Sequence, residues 1–211
     1  MASRLPFLFA AALAAGASYT ANHWLDLDGP AAIAWKGSGV GLLALWAGLA
    51  VRTPDGRLIA AALALGALGD MLLNAIGLTV GAVAFLAGHL LACILYLRHR
   101  RLPLLLAAWL AGGVALLAYA LPDDRAAAPG IALYALGLGA MFGTAVTSRF
   151  PRVTVGLGAA LFVFSDLLIF AQMGPLARSP LPGLLIWPTY FAGQALIAWG
   201  VVRTLDKEAA A

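Results

Sequence analysis

The sequence predicts an all-α membrane protein, a bundle of about eight transmembrane helices with both termini cytoplasmic. Three observations predict it. Hydrophobic residues make up 63% of the chain and charged residues only 10%, against roughly 25% charged in soluble domains, which excludes an ordinary water-facing surface. The apolar residues fall into runs at about 5–22, 31–51, 58–75, 78–97, 103–121, 130–147, 153–172 and 182–204, each near the ~20 residues that a bilayer requires. Most of the charges sit in the breaks between the runs, and the basic ones are concentrated on one side.

Each break carries a turn or charge signal. They are Asp-Leu-Asp-Gly-Pro at 26–30, Thr-Pro-Asp-Gly at 53–56, Arg-His-Arg-Arg at 98–101, Pro-Asp-Asp-Arg at 122–125, Phe-Pro at 150–151 and Arg-Ser-Pro-Leu-Pro at 178–182. The weakest lies near Gly77, where two runs join through a very short turn. Arg4 and the apolar stretch after it resemble a signal peptide, with Ala15-Gly16-Ala17 as a small-residue cleavage site. The run continues to about Ala21, however, and the expectation is an uncleaved first helix. Composition is uniform, with no convincing internal repeat, so residues 1–211 read as one transmembrane domain.

Eight spans place both termini on one side. That side receives Arg4, Arg52, Arg57, Arg98, Arg100, Arg101, Arg149, Arg152, Arg203 and Lys207, ten of the thirteen basic residues. The other side receives Arg125 and Arg178 together with Asp26, Asp28, Asp123 and Asp124. By the positive-inside rule the first side is cytoplasmic, and the expected location is a bacterial inner membrane. The net charge of +4 therefore reports topology and not nucleic-acid binding. The single cysteine, Cys93, excludes an intramolecular disulfide. Gly37, Gly41, Gly112, Gly139, Gly143, Gly156 and Gly158 lie within spans, where small residues let helices approach closely.

The informative residues are polar ones inside spans. An ionised group at the bilayer centre costs about 2.5–3.5 kcal/mol on insertion scales, so Lys36, Asp70, His89 and Asp166 mark a candidate site, with Asn74, Ser165, Tyr190 and Gln194 as weaker members. Asp70 and Asp166 lie about twelve and thirteen residues into helices running the same way, roughly 18–20 Å into a 30 Å core. Lys36, His89, Tyr190 and Gln194 fall at compatible depths. Asp70 with Asn74, and Tyr190 with Gln194, are spaced i,i+4 and share helix faces. Plainer roles compete. Lys36 fits a snorkelling lysine, His89 a satisfied core histidine, Tyr190 and Gln194 interhelical hydrogen-bond glue, and Ser165 a bond to its own helix backbone.

Two buried carboxyls near one cation suit acid–base hydrolysis, because burial favours the neutral acid and a cation favours the carboxylate. A metal site is poorly supplied: of three histidines, His23 lies at a boundary and His99 in a loop, leaving an incomplete zinc set. No G-x-S-x-G surrounds Ser165. The residues alone define a membrane enzyme or a transporter with an acidic intramembrane site.

At these residues the sequence resembles the YhhN-like lysoplasmalogenase family. LGALGDMLLNAIG at 65–77 with VGAVAFLAGHLLACILYL at 80–97 is similar to the family's GD…GxxxFxxxH block. GAALFVFSDLLIF at 158–170 and YFAGQALIAWGV at 190–201 are similar to its S-D and closing Y-x-x-[AG]-[QH] segments, and Lys36 resembles the lysine before its second helix. The segment after Asn74 departs from the pattern, being short and without the usual proline.

The resemblance implies metal-independent, cofactor-free cleavage of the vinyl ether bond of lysoplasmenyl-choline or -ethanolamine, giving a fatty aldehyde and a glycerophospho-headgroup. It makes Asp70 and Asp166 the catalytic pair, with the acid unassigned between them. His89 becomes a proton shuttle, while Lys36, Asn74, Ser165, Tyr190 and Gln194 become substrate-binding or orienting residues. The competing class is a proton-coupled transporter or lipid-binding protein using the same acidic layer. It is disfavoured by the lack of clear inverted repeats.

Overall fold

A computed structural model describes residues 5–209, and Arg4, used above for orientation, lies outside them. Among the described residues the chain is helical throughout, with no strand and one isolated bridge, Arg100 with Ser148. The helices are α1 (Leu5–Ser18), α2 (Asn22–Leu25), α3 (Pro30–Ala50), α4 (Pro54–Ala75), α5 (Leu78–Arg98), α6 (Leu104–Ala120), α7 (Ala128–Thr147), α8 (Leu157–Gln172) and α9 (Leu181–Ala209). Six are long and apolar enough to cross a membrane, counting α8 with the π-helical turn Arg152–Gly156 before it. The chain is thus an integral, multi-pass membrane protein. Its outer surface is apolar: Trp109 and Leu116 are each 73% exposed and Leu133 68%, the inverse of a soluble bundle.

Two of the expected spans are shorter as helices than their apolar runs. α1 has 14 residues and α6 has 17. α1 gives way to a 3₁₀ turn at Tyr19–Ala21 and then to α2. Polar side chains compete with the helix backbone there. Ser18 Oγ donates to Ala15 O at 2.8 Å, and the Asn22 amide holds both backbone groups of Leu27, accepting at 3.0 Å and donating at 3.2 Å. α6 begins after Pro103 and ends before Pro122.

The other boundaries follow local chemistry. Pro30 and Pro54 occupy first turns, where no N–H is missed. Thr53 caps α4 by accepting from Gly56 N at 3.1 Å. Gly77, at φ +133°, supplies the conformation that turns α4 into α5 with almost no loop. Pro188 interrupts the ladder inside α9, which buried membrane helices tolerate because neighbours re-satisfy the backbone.

Sequential helices pack as hairpins, α3 with α4, α4 with α5, α6 with α7 and α8 with α9, while α1 lies on α3 and α5 on α7. The α8–α9 crossing sets the site. A Cβ on Gly158 would stand 2.6 Å from Gly193 O, and one on Gly193 2.6 Å from Gly158 O. Gly158→Val is therefore expected to force the pair apart and cost about 1–3 kcal/mol, read as a lowered Tm in detergent. Gly139 and Gly143 likewise sit against the α6 backbone, but Gly112 faces open space and does not close a helix contact.

The loops at one end are locked together. This basic end carries Arg52, Arg57, Arg98, Arg100, Arg101, Arg149, Arg152, Arg203 and Lys207. Arg149 Nε donates to His99 Nδ1 at 2.8 Å, so the His99 proton is on Nε2, which donates to Asp55 Oδ2 at 2.6 Å. Arg149 also pairs with Glu208, and Arg98 Nε lies 3.2 Å from Asp55 Oδ1. Arg149→Ala leaves the mostly buried His99 acceptor without its donor. A loss of about 1–3 kcal/mol is expected, measurable as a shift in thermal unfolding.

Candidate functional site

Asp70, His89, Ser165, Asp166 and Gln194 are all buried polar residues. All but Ser165 belong to two hydrogen-bonded chains of one design, a nitrogen donor, a tyrosine hydroxyl and an aspartate. In the first, Gln194 Nε2 donates to Tyr190 Oη at 3.3 Å, and Tyr190 donates to Asp70 Oδ2 at 2.9 Å. The i,i+4 spacing on α9 stacks amide and phenol on one face, directed at α4. In the second, Tyr134 on α7 donates to Asp166 Oδ2 at 2.6 Å, and its oxygen lies 3.2 Å from His89 Nε2. A phenol has one proton; since Tyr134 gives it to Asp166, His89 must donate from Nε2. Each carboxyl thus keeps its second oxygen free of these bonds.

No hydrogen bond or ion pair joins Asp70 to Asp166 among the described residues. Two phenylalanines lie between the chains. Phe162, one turn before Asp166, meets Tyr190 and His89 edge-on, each at 4.9 Å between ring centres. Phe85, one turn before His89, meets Tyr190 at 5.8 Å and Phe162 at 6.2 Å.

The remaining residues are placed differently. Lys36 and Asn74 pair with each other, Nζ donating to Oδ1 at 2.8 Å, one turn beyond Asp70; among the described residues Lys36 makes no ion pair within 4.0 Å. Ser165 Oγ donates across to Ile186 O on α9 at 2.9 Å and not to its own helix. It ties α8 to α9 beside the glycine crossing. Among the described residues no three His, Cys, Asp or Glu side chains are grouped for a metal ion.

Asp166 and Tyr134 line a cleft of about 450 Å³ between α5, α7 and the end of α8, a volume in the usual range for small-molecule sites. Its other walls are apolar except for Thr79, and include Leu73, Val83, Leu86, Ile131 and Phe170. Val83 and Leu133 at its rim are 64% and 68% exposed, so it faces the region that lipid would occupy. Asp70 does not line it, and Phe85 stands on that side. Tyr134 has no place among the sequence candidates, yet it is the residue that binds Asp166. A phenol inside an apolar run was the available signal.

A multi-pass membrane protein with two buried aspartate–tyrosine chains, one opening into an apolar lateral cleft, is the class defined by fold and site. The chain belongs to the YhhN family, whose model matches residues 31–201, an interval that takes in every site residue from Lys36 to Gln194. No curated protein and no solved structure matches it.

Proposed function

We propose that the protein is a lysoplasmalogen hydrolase that cleaves vinyl ether lipids by carboxyl acid–base catalysis. One observation carries this reading: Asp166, held by a tyrosine, is among the described residues the single carboxyl lining a lipid-facing apolar cleft. An alkenyl chain enters between α5 and α7 and brings its head-proximal double bond to Asp166. Family membership supports the reading, as does the basic end, which supports eight crossings with cytoplasmic termini in a bacterial inner membrane.

The chemistry follows from the bond. The Asp166 carboxyl gives its proton to the carbon β to the ether oxygen, leaving an oxocarbenium ion. The new carboxylate, held by the Tyr134 hydroxyl, faces that cation and stabilises it. Water adds to the carbon bearing oxygen and returns a proton to Asp166. The hemiacetal then collapses to fatty aldehyde and the glycerol hydroxyl. His89 fixes Tyr134, Asp70 holds Tyr190 and Gln194 in the other chain, and Lys36 with Asn74 meets the headgroup phosphate.

The test is purified protein with a panel of lysoplasmenylcholine, lysoplasmenylethanolamine and their saturated-ether and acyl counterparts. Aldehyde is expected from the vinyl ethers alone. Movement of lipid or protons without aldehyde would replace this reading with the transporter.

A further inference from the structure

We propose that a second, internal cavity is a water-binding site shared by both aspartate–tyrosine chains. It encloses about 20 Å³ among α4, α5, α7, α8 and α9 and is lined by Gly88, His89, Ala92, Tyr96, Met141 and Gln194, among others. That volume accommodates one water molecule, which needs roughly 10–15 Å³.

One buried hydroxyl on its wall is unpaired in a way that a water corrects. Tyr96 is fully buried, and among the described residues its hydroxyl has no hydrogen-bond partner, an arrangement that is costly if left unmet. Helical side chains lean toward the helix N-terminus, so Tyr96 leans along α5 toward His89, seven residues earlier on the same face. Ala92 lies between them and Gly88 beside His89, both too small to fill the space. His89 uses Nε2 on Tyr134 and Gln194 uses Nε2 on Tyr190, leaving the acceptor nitrogen of His89 and the carbonyl of Gln194. Tyr96 donates to the water, and the water donates onward to these acceptors, within the usual two to four partners of a buried water.

His89 and Gln194 are the distal members of the two chains. A water between them, against Phe85 and Phe162, which also line the cavity, joins Asp70–Tyr190–Gln194 to His89–Tyr134–Asp166 as one network. The site itself stands on the cavity and the Tyr96 hydroxyl. Its part in holding both carboxyls in place for chemistry rests on the proposed hydrolase.

Radiolytic hydroxyl labelling of the full-length protein in detergent, without substrate, tests it, because bound water generates radicals where it sits. Tyr96 and Met141 are expected to be oxidised although both are buried, while Phe150, equally buried beside Tyr96 but outside the cavity, stays unmodified. Exposed Tyr119 and Met173 serve as positive controls. Filling the space with Ala92→Leu is expected to bring Met141 down to the Phe150 background. Protection of both Tyr96 and Met141, or full labelling of Met141 in Ala92→Leu, would overturn the proposal. The readout needs no turnover, so it fails or succeeds separately from the hydrolase.

Discussion

Asp166→Asn is expected to abolish aldehyde release, with kcat falling by about 10²–10⁴-fold while the fold persists. The amide oxygen of asparagine still accepts from Tyr134, so the hydrogen bond now at 2.6 Å has a substitute and the bundle loses little. What disappears is the transferable proton and, after transfer, the negative charge opposite the oxocarbenium ion. Steady-state kinetics on lysoplasmenyl lipid, together with a thermal melt, separate the two effects. Activity within a few-fold of the parent at an unchanged Tm would show that the cleft carboxyl takes no part in the chemistry.

Gly130→Leu is expected to act oppositely on stability and activity. Gly130 lies in the first turn of α7 and lines the cleft, and a Cβ there meets nothing within 4 Å. Leucine strengthens a helix relative to glycine by about 0.5–1 kcal/mol. Its side chain also occupies volume that the alkenyl chain needs, lowering kcat/KM for long chains by roughly 10–200-fold and for short chains much less. A stabilised variant that loses long-chain turnover cannot be explained by unfolding. Unchanged chain-length dependence would mean that the substrate lies elsewhere.

How far the sequence carries depends on which constraint is at work. The bilayer demands continuous apolar length and penalises charge, so the apolar runs map onto long helices with ends shifted by a few residues. Where polar side chains compete for the backbone, as at Ser18 and Asn22, apolar length overstates helix length. Helix phase places Tyr190 and Gln194 together but not their partner, because the approach of α9 to α4 depends on tertiary packing. Lys36 illustrates the same limit: its depth is legible, but its bond to Asn74, 38 residues away, is not. Tyr134 lacks an acidic neighbour in its own helix, and only the seating of α7 against α8 gives it Asp166. Phe85 and Phe162 sit one turn before His89 and Asp166, so phase marks them as face-sharing while saying nothing of the barrier they form.

The measurement closest to the central claim is hydrolysis of a lysoplasmenyl lipid in D₂O, with the released aldehyde trapped at once as an oxime and weighed by mass spectrometry. Protonation at carbon by a solvent-exchanged Asp166 predicts one deuterium on the carbon next to the carbonyl. Aldehyde released without that deuterium would contradict acid catalysis from the cleft, and so would undiminished release by the Asp166→Asn protein.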